Sequence, residues 1–278
     1  MLINSRLSKT LILIIAIMLM ALSRLAPEEN LTTNNTFEVY NDGLSVIFLD
    51  VGQGDSTLIR TPDGTTLLVD GGEKEAYSEN ILPLFEKMGI SQIDYVLASH
   101  YHSDHMGGLV PLIKDGLAEN LLIPNHTPEN TQKSQLTRAA NKTATTVTEL
   151  SRGDAINLND ENLFIEVLHP DSGGFENDEN SSSVVLKITY FKTTLLFTGD
   201  IEEPAEIELA KKYDLECDIL KVAHHGSSTS TCPKFLQEAD PTHAVIQCGK
   251  DNRYGHPHYE TTTALENDDV QIWRTDTD

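Results

Sequence analysis

Short apolar runs recur along the chain from residue 44 onward, most of them rich in Val, Ile and Leu and separated by turn-forming residues. Runs of this kind are typical of buried β-strands, because branched side chains pack well on a pleated surface. We predict strands at Leu44–Asp50, Ser56–Thr61, Thr66–Asp70, Tyr95–Ser99, Leu121–Ile123, Leu163–Leu168, Ser183–Tyr190, Thr194–Thr198, Asp218–Ala223, His243–Gln247 and Val270–Trp273. The chain is therefore expected to be β-rich beyond residue 44.

Helical periodicity is clear in two segments, Ser78–Met88 and Glu202–Tyr213. The second opens with acidic and closes with basic side chains, an order that suits the helix dipole. Residues Glu129–Arg152 carry the weakest pattern, and we predict a surface helix and loop there. Two β-rich halves with flanking helices follow one another without a linker. We therefore expect one domain over residues 44–278, with helices outside two packed sheets.

The N-terminal segment differs from the rest of the chain. Arg6 and Lys9 precede the run Leu11–Leu22, in which no side chain is polar. This run is short for a membrane span, and small residues follow at a spacing that signal peptidase accepts. We expect a cleaved signal peptide over residues 1–23, with an uncleaved N-terminal membrane anchor as the alternative, and a polar spacer over residues 24–43. Either arrangement places the domain outside the cell, secreted or tethered to the membrane.

Composition and charge narrow the class of protein. With 39% hydrophobic and 23% charged residues, the 278-residue chain is neither collagen-like nor wholly disordered. The 20 basic and 43 acidic side chains give a net charge of −23, which by itself argues against nucleic acid or an anionic membrane as a partner. Cys217, Cys232 and Cys248 lack Cys-x-x-Cys spacing. Any metal ligands must therefore be histidines and carboxylates.

The sequence His100-x-His102-x-Asp104-His105 directly follows a predicted strand that ends at Ser99. Side chains at i and i+2 of an extended segment face the same way, so His100 and His102 are placed to share one metal ion. The turn at Asp104 and His105 is placed to aim a carboxylate and an imidazole at a second ion. The alternative is a polar surface loop, but this density of ligand-type residues after a buried strand favours a metal site.

Further ligand-type residues stand at the ends of other predicted strands: Asp70, His169, Asp200 and the pair His224-His225. Taken singly, each is compatible with a turn or a local hydrogen bond. Together they indicate that several strands deliver His or Asp side chains to one edge of the sandwich, where loops form sites.

Eight ordered sequence blocks carry a family resemblance. They are Leu49-Asp-Val-Gly-Gln-Gly-Asp55-Ser, Val69-Asp-Gly-Gly, Ser99-His-x-His-x-Asp-His-x-Gly-Gly108, Ser182-Ser-Val-Val-Leu, Leu196-Phe-Thr-Gly-Asp200, Leu220-Lys-Val-Ala-His-His-Gly-Ser-Ser228, Tyr254-Gly-His-Pro257 and Arg274-Thr-Asp276. The chain resembles the metallo-β-lactamase superfamily, and within it the branch with the ComEC competence domains and the choline-phosphate esterases of cell-wall teichoic acid. The resemblance implies an α/β fold, the αβ/βα four-layer sandwich, and two divalent metal ions, commonly zinc, with manganese as the alternative.

The resemblance also implies a role for each matching residue. The first metal would be held by His100, His102 and His169, and the second by Asp104, His105 and either His224 or His225, with Asp200 bridging the two. Similarity to the esterases favours His225. Asp70 is expected behind the ligands, where it would orient an imidazole. Many ComEC-type domains have Asp in place of His102 and lack a counterpart of His169, so this chain resembles a complete two-metal hydrolase more than they do.

Catalytic and substrate-binding roles follow from the same resemblance. Asp104 or Asp200 would orient the attacking hydroxide and accept its proton, while His224 and His256 would contact substrate oxygens or protonate the leaving group. For His256 and His258 the alternative is a turn that caps a helix beginning near Pro257. For Asp55 the alternatives are a substrate-binding residue facing the site and a carboxylate that satisfies neighbouring backbone N–H groups.

Two divalent ions would make the centre attract anions despite the acidic chain. Lys221, Lys250 and Arg253 stand near the motifs, and the window 131–152 carries Lys133, Arg138, Lys142 and Arg152 against Glu149. That window is either a solvated face or a basic lip for a phosphate backbone. We expect an exported phosphodiesterase or nuclease acting on DNA or small phosphodiesters, with a part in competence and DNA uptake. The alternatives are a phosphocholine-type wall esterase, a lactonase or β-lactamase, and a non-catalytic DNA- or wall-binding module.

Overall fold

The computed structural model describes residues 43–125, 131–171, 175 and 178–278. The expected signal peptide over residues 1–23, all of the spacer except residue 43, and His126 lie outside the described residues. Within the described ranges, every helix is too short or too polar to span a bilayer.

The first half of the chain forms one sheet. In the described residues this sheet has six strands, in spatial order β1 to β6: β1 (Ser45–Phe48), β2 (Thr57–Arg60), β3 (Thr66–Val69), β4 (Ile93–Leu97), β5 (Ala118–Pro124) and β6 (Thr146–Leu150). The first three strands pair antiparallel and the last four pair parallel. The helices of this half are α1 (Leu82–Met88, after a π-helical turn at Tyr77–Ile81), α2 (Ser103–Met106), α3 (Leu109–Lys114) and α4 (Thr131–Ala140).

The second half forms the other sheet. Its seven described strands are β7 (Ala155–Ile156), β8 (Leu163–His169), β9 (Val185–Tyr190), β10 (Thr193–Phe197), β11 (Ile219–Lys221), β12 (His243–Ile246) and β13 (Gln271–Arg274). Strands β10 to β13 are parallel, whereas β7 to β10 pair antiparallel. The α-helices described in this half are α5 (Glu203–Lys212), α6 (Pro233–Ala239) and α7 (Tyr259–Asn267), and short 3-10 turns lie at Asn180–Ser182 and Ala223–Gly226.

Three apolar cores hold these layers together. The central core lies between the sheets and includes Leu97, Val167 and Leu195. One outer core joins the first sheet to its helices, and the other, which includes Phe235, does the same for the second sheet. The layers therefore run helix, sheet, sheet, helix, which confirms the αβ/βα sandwich predicted from the sequence.

The main departure from the predicted elements lies in residues 129–152. The structure places α4 there as expected, and it adds β6, which pairs parallel with β5 in the register Asn120↔Thr146. Strand β6 stands at the edge of its sheet and has a largely polar, exposed pattern. A strand with little buried surface lacks the apolar signal by which the other strands were predicted.

Both sheets deliver polar side chains to one end of the sandwich. Asp70 follows β3 directly, the segment from His100 to His105 follows β4, and Asp200 follows β10 by three residues. The loop after β11 carries His224 and His225. Parallel strands end at the same edge of a sheet, so strand order brings the side chains of each half to one edge. Packing of the two sheets then brings the two edges together.

Candidate metal centre

Four buried side chains form a compact cluster where the two sheets meet. One nitrogen or carboxylate oxygen from each of Asp55, His105, Asp200 and His225 lies within 4.8 Å of every other. Asp55, in the loop between β1 and β2, and His105, in α2, come from the first half of the chain. Asp200, in the loop after β10, and His225, in the 3-10 turn after β11, come from the second. The site therefore depends on correct packing of the two halves of the chain.

His105 and His100 are both oriented by Asp70. The Nδ1 of His105 donates to Asp70 Oδ2 over 2.9 Å, and its Nε2 lies 3.1 Å from Asp200 Oδ2. Ser99 Oγ also donates to Asp70 Oδ2, over 2.8 Å, and lies 3.1 Å from His100 Nδ1. Both imidazoles thus use Nδ1 away from the centre, which leaves Nε2 for a ligand.

His225 also directs Nδ1 to a hydrogen-bond partner outside the centre and Nε2 toward the centre, whereas His224 does not. The Nδ1 of His225 donates to the carbonyl oxygen of Gln247 over 2.9 Å. Its Nε2 lies 3.4 Å from both Asp200 Oδ2 and Asp104 Oδ2. The Nδ1 of His224 lies instead 3.2 Å from Thr229 Oγ1. The structure therefore brings His225 into the cluster and leaves His224 at its rim.

A second group of histidines borders the cluster. The Nε2 of His100 lies 3.9 Å from Asp200 Oδ2 and 3.0 Å from the Nδ1 of His102. Two ring nitrogens at this separation are placed to share one cation. His169 is buried, and its Nε2 donates to the carbonyl oxygen of Ser181 over 2.8 Å, so that Nδ1 is the nitrogen left for a metal. Within the described ranges, His169 makes no hydrogen bond to another predicted ligand.

The backbone around the cluster adopts conformations that side chains rarely take. Asp70, His224 and His225 have φ values of 59°, 50° and 55°, in the left-handed region. Such residues cost about 1–3 kcal/mol each and persist where the surrounding structure requires them. A Cβ on Gly54 would lie 2.3 Å from the carbonyl oxygen of Asp104, so the loop between β1 and β2 packs closely against α2.

Unsatisfied polar atoms show that the cluster fits a cation. The Nε2 atoms of His105 and His225 and the Oδ1 atoms of Asp55 and Asp200 are buried and have no hydrogen-bond partner among the described residues. An unpaired buried polar atom costs about 1–3 kcal/mol. A divalent ion would satisfy several of these atoms at once, and a mixed set of imidazole and carboxylate donors suits zinc or manganese.

The ionisation of the carboxylates also favours a bound cation in this cluster. Burial alone would raise the pKa of Asp200, but the imidazoles of His105 and His225 outweigh it and hold that pKa well below its usual value. For Asp104, burial is likewise outweighed, first by the adjacent imidazole of His225 and then by the charge of His105, so its pKa is lowered. Both carboxylates are therefore ionised at neutral pH and attract positive charge.

The buried histidines fall into two groups by the direction in which their pKa is shifted. Burial would lower the pKa of His105, but Asp200 and Asp70 raise it well above its usual value. For His225, burial is outweighed by Asp200 and Asp55, which raise its pKa to about 10. Burial lowers the pKa of His100 and His169, which are therefore neutral. Metal binding would displace the protons that the carboxylates hold on His105 and His225.

Lys221 neutralises Asp55 inside the site. Its side chain is only 2% exposed and forms an ion pair with Asp55, which is 3% exposed. The second carboxylate oxygen of Asp55 lies 3.2 Å from His225 Nδ1. Burial would raise the pKa of Asp55, but Lys221 and His225 outweigh it and lower that pKa. Lys221, expected among the cations that attract substrate, is therefore an internal partner of Asp55, as a lysine within a buried strand could have indicated.

His224 and His256 form the rim of the centre. The ring of His256 lies 5.6 Å from that of His224 and 6.0 Å from that of His225. Burial, followed by the charges of His225 and His224, lowers the pKa of His256 to about 4. His258 occupies the N-cap position of α7, but its side chain makes no capping hydrogen bond. Its Nδ1 instead accepts the backbone N–H of Ser228 over 2.9 Å.

Replacing Asp70 with asparagine is expected to weaken metal binding by about 10- to 100-fold, because the orientation of two imidazoles would be lost. Isothermal titration with Zn²⁺ measures the effect. Asp94→Asn is the matched control, since Asp94 Oδ2 also accepts a backbone N–H, that of Thr66 over 2.8 Å, but belongs to no ligand group in the described residues. Equal losses of affinity in both variants would contradict the role given to Asp70.

The family profile described as the metallo-beta-lactamase superfamily matches residues 49–250. The chain belongs to the metallo-beta-lactamase superfamily. Members of this superfamily are generally metal-dependent hydrolases, and the cluster described above is a candidate for the metal site.

Competence-related proteins are among the relatives that match most of the chain. ComE operon protein 3 of Bacillus subtilis (strain 168) is 31% identical over 248 residues, which cover 83% of this chain and 32% of that protein. Competence protein ComA of Neisseria gonorrhoeae is 30% identical over 234 residues, or 84% of this chain and 31% of that protein. The chain spans about a third of the length of these relatives.

Solved structures of the same fold are more distant in sequence. The metallo-beta-lactamase fold protein YhfI from Bacillus subtilis matches with a TM-score of 0.56 at 15% identity, covering 83% of this chain and 96% of that one. Igni18, a metallo hydrolase from the archaeon Ignicoccus hospitalis KIN4/I, matches with a TM-score of 0.51 at 13% identity, covering 84% and 96%. These matches agree with the sandwich described above.

Proposed function

We propose that this superfamily member is a metal-dependent phosphodiesterase that acts on DNA or on smaller phosphodiesters. The observation that carries the proposal is the buried cluster whose ligand-type atoms lack partners, bordered by two rim histidines. His105, Asp200 and His225, with Asp104 beside them, would hold one metal ion. His100 and His102, with His169 contributing through Nδ1, would hold the other next to the shared carboxylate of Asp200.

Bound metal ions in such a centre lower the pKa of water and stabilise the charge of a phosphoryl transition state. The side chain of Asp104 is partly exposed and ionised, so it can orient the attacking water and accept its proton. His224 and His256 stand at the opening, where a ring N–H can donate to a phosphate oxygen or to the leaving oxygen. Asp70 and the Gln247 carbonyl hold the imidazoles in place during these steps.

The biological setting is part of the same proposal. The relatives named above are competence proteins, which favours a substrate met during DNA uptake. The expected signal peptide or anchor over residues 1–23 would place the domain outside the cell. Two of the four cations in the window 131–152 are paired, Lys133 with Glu149 and Arg152 with Asp171, which weakens the case for a basic lip that attracts phosphate. Attraction of the substrate depends on the charge of the loaded centre.

Incubating the purified protein with Mn²⁺ or Zn²⁺ and four substrates tests this function. The substrates are single-stranded DNA, bis-p-nitrophenyl phosphate, p-nitrophenyl phosphorylcholine and a β-lactam, each with and without chelator. We expect chelator-sensitive hydrolysis of the DNA and of bis-p-nitrophenyl phosphate. Hydrolysis of only the lactam, or of only the phosphorylcholine ester, would overturn the proposal in favour of the lactamase or esterase function. Binding of DNA without any turnover would favour a binding module.

A further inference from the structure

An exposed aromatic surface adjoins the candidate metal centre. Tyr254 is 48% exposed, and its ring stacks on that of His256 with centroids 5.6 Å apart and planes inclined by 21°. The guanidinium carbon of Arg253 lies 4.8 Å from the centroid of the Tyr254 ring. Since His256 in turn lies beside His225, a continuous row of flat groups leads from the buried cluster to solvent.

The loop that presents this surface is held rigidly. The side-chain oxygen of Asn252 accepts the backbone N–H groups of Tyr254 and His256, over 3.1 and 3.0 Å. Its amide nitrogen donates to the carbonyl oxygen of His256 over 2.6 Å. His258 Nε2 donates to the carbonyl oxygen of Tyr254 over 3.1 Å. These bonds fix the backbone of the loop, while the ring of Tyr254 is held by its stack on His256 and by a hydrogen bond from Arg253 Nη2 to its hydroxyl.

The exposed guanidinium of Arg253 and the uncovered part of the Tyr254 ring offer flat surface beside the candidate site, on which a partner with a flat face can stack. A nucleobase is such a partner, because any base offers a π-face to an aromatic ring or to a guanidinium plane. The positive charge of Arg253 also suits a polyanionic ligand, in contrast to the net charge of −23 over the whole chain. In a duplex the faces of the bases are already stacked on one another, so only an unpaired base can use this surface.

We propose that Arg253 and Tyr254 form a stacking platform for an unpaired nucleobase next to the phosphodiester at the metal centre. The inference rests on the proposed phosphodiesterase function and specifies its substrate as single-stranded nucleic acid. Tyr254 is a positioning residue in this scheme: it orients the base and takes no part in the chemistry.

Two oligonucleotides of equal length test the platform, one of normal single-stranded DNA and one in which abasic sugars replace the nucleosides. The Tyr254→Ala variant is expected to raise KM for the normal oligonucleotide by about tenfold, the effect typical of losing one base–aromatic stack, with kcat little changed. KM for the abasic oligonucleotide should stay at its wild-type value. Tyr254→Phe keeps the ring and should behave as wild type.

Tyr259→Ala is the matched control, since Tyr259 is 77% exposed on α7 and makes no ring stack with a described histidine. An equal rise of KM on both oligonucleotides, or a wild-type KM in Tyr254→Ala, would overturn the platform. Fluorescence anisotropy of the same oligonucleotides on metal-loaded protein separates this inference from the proposed function. If the wild type binds the normal oligonucleotide better than the abasic one but cleaves neither, and Tyr254→Ala loses this preference, the stacking platform is supported and the phosphodiesterase function is rejected.

Discussion

Replacing Asp200 with alanine is expected to abolish turnover while the fold is retained. Asp200 Oδ2 lies within 3.1 to 3.9 Å of the Nε2 atoms of His105, His225 and His100, so this one carboxylate joins both groups of histidines. Its loss should remove the shared ligand and, with it, several kcal/mol of transition-state stabilisation. That corresponds to a decrease in kcat of about a thousandfold or more. His102→Ala is expected to act in the same direction.

The measurement combines kcat on bis-p-nitrophenyl phosphate with metal content by mass spectrometry and with circular dichroism. His243→Ala is the control, because His243 lies on β12 and its Nδ1 accepts the indole N–H of Trp273 over 3.4 Å. That variant should retain activity near wild type, as should His126→Ala. Full activity after loss of Asp200 would refute the shared-carboxylate assignment.

The Lys221→Met variant is expected to lose about 3–5 kcal/mol of the free energy of unfolding, because it leaves the carboxylate of Asp55 buried without its cation. The double variant Asp55→Asn/Lys221→Met removes both charges and should recover most of this loss. Chemical denaturation in the presence of chelator measures both values without a contribution from metal binding. A loss below about 1 kcal/mol in the single variant, or no recovery in the double variant, would contradict a structural ion pair.

The stabilisation that the Asp55–Lys221 pair gives to the folded state should depend on pH in a defined direction. The pKa of Asp55 is lowered from its ordinary value of 3.8, so the stabilisation from its ionised form is present at neutral pH. It is lost as the pH falls below that value and the carboxylate is protonated in the folded state. Protonation leaves Lys221 buried without its negative partner, so the unfolding free energy of wild type should approach that of an Asp55→Asn single variant under acidic conditions.

Much of the fold could be predicted from local pattern. Each strand that is buried on both faces carries a run of branched apolar residues, and the ligand-type residues stand at fixed offsets after such runs. Asp70 after β3, His100 after β4 and Asp200 after β10 are examples. Strand β6 was not predicted, because a strand at the exposed edge of a sheet needs no apolar pattern.

The remaining features depend on contacts between residues far apart in the chain. Asp55 lies in the loop between β1 and β2 and Lys221 on β11 of the other sheet, and nothing in either local sequence indicates that they pair. The neighbours His224 and His225 could not be told apart by sequence position. They differ only through tertiary partners, the carbonyl of Gln247 for His225 and the hydroxyl of Thr229 for His224.

Metal content measured together with phosphodiester hydrolysis is the most direct test of the account. The purified protein, loaded with Zn²⁺ or Mn²⁺, is titrated with chelator while bound metal and the rate on bis-p-nitrophenyl phosphate are followed in the same samples. We predict two metal ions per chain, a rate that falls in step with their removal, and recovery when metal is added back. Fewer than one bound ion per chain, or a rate that chelator leaves unchanged, would contradict it.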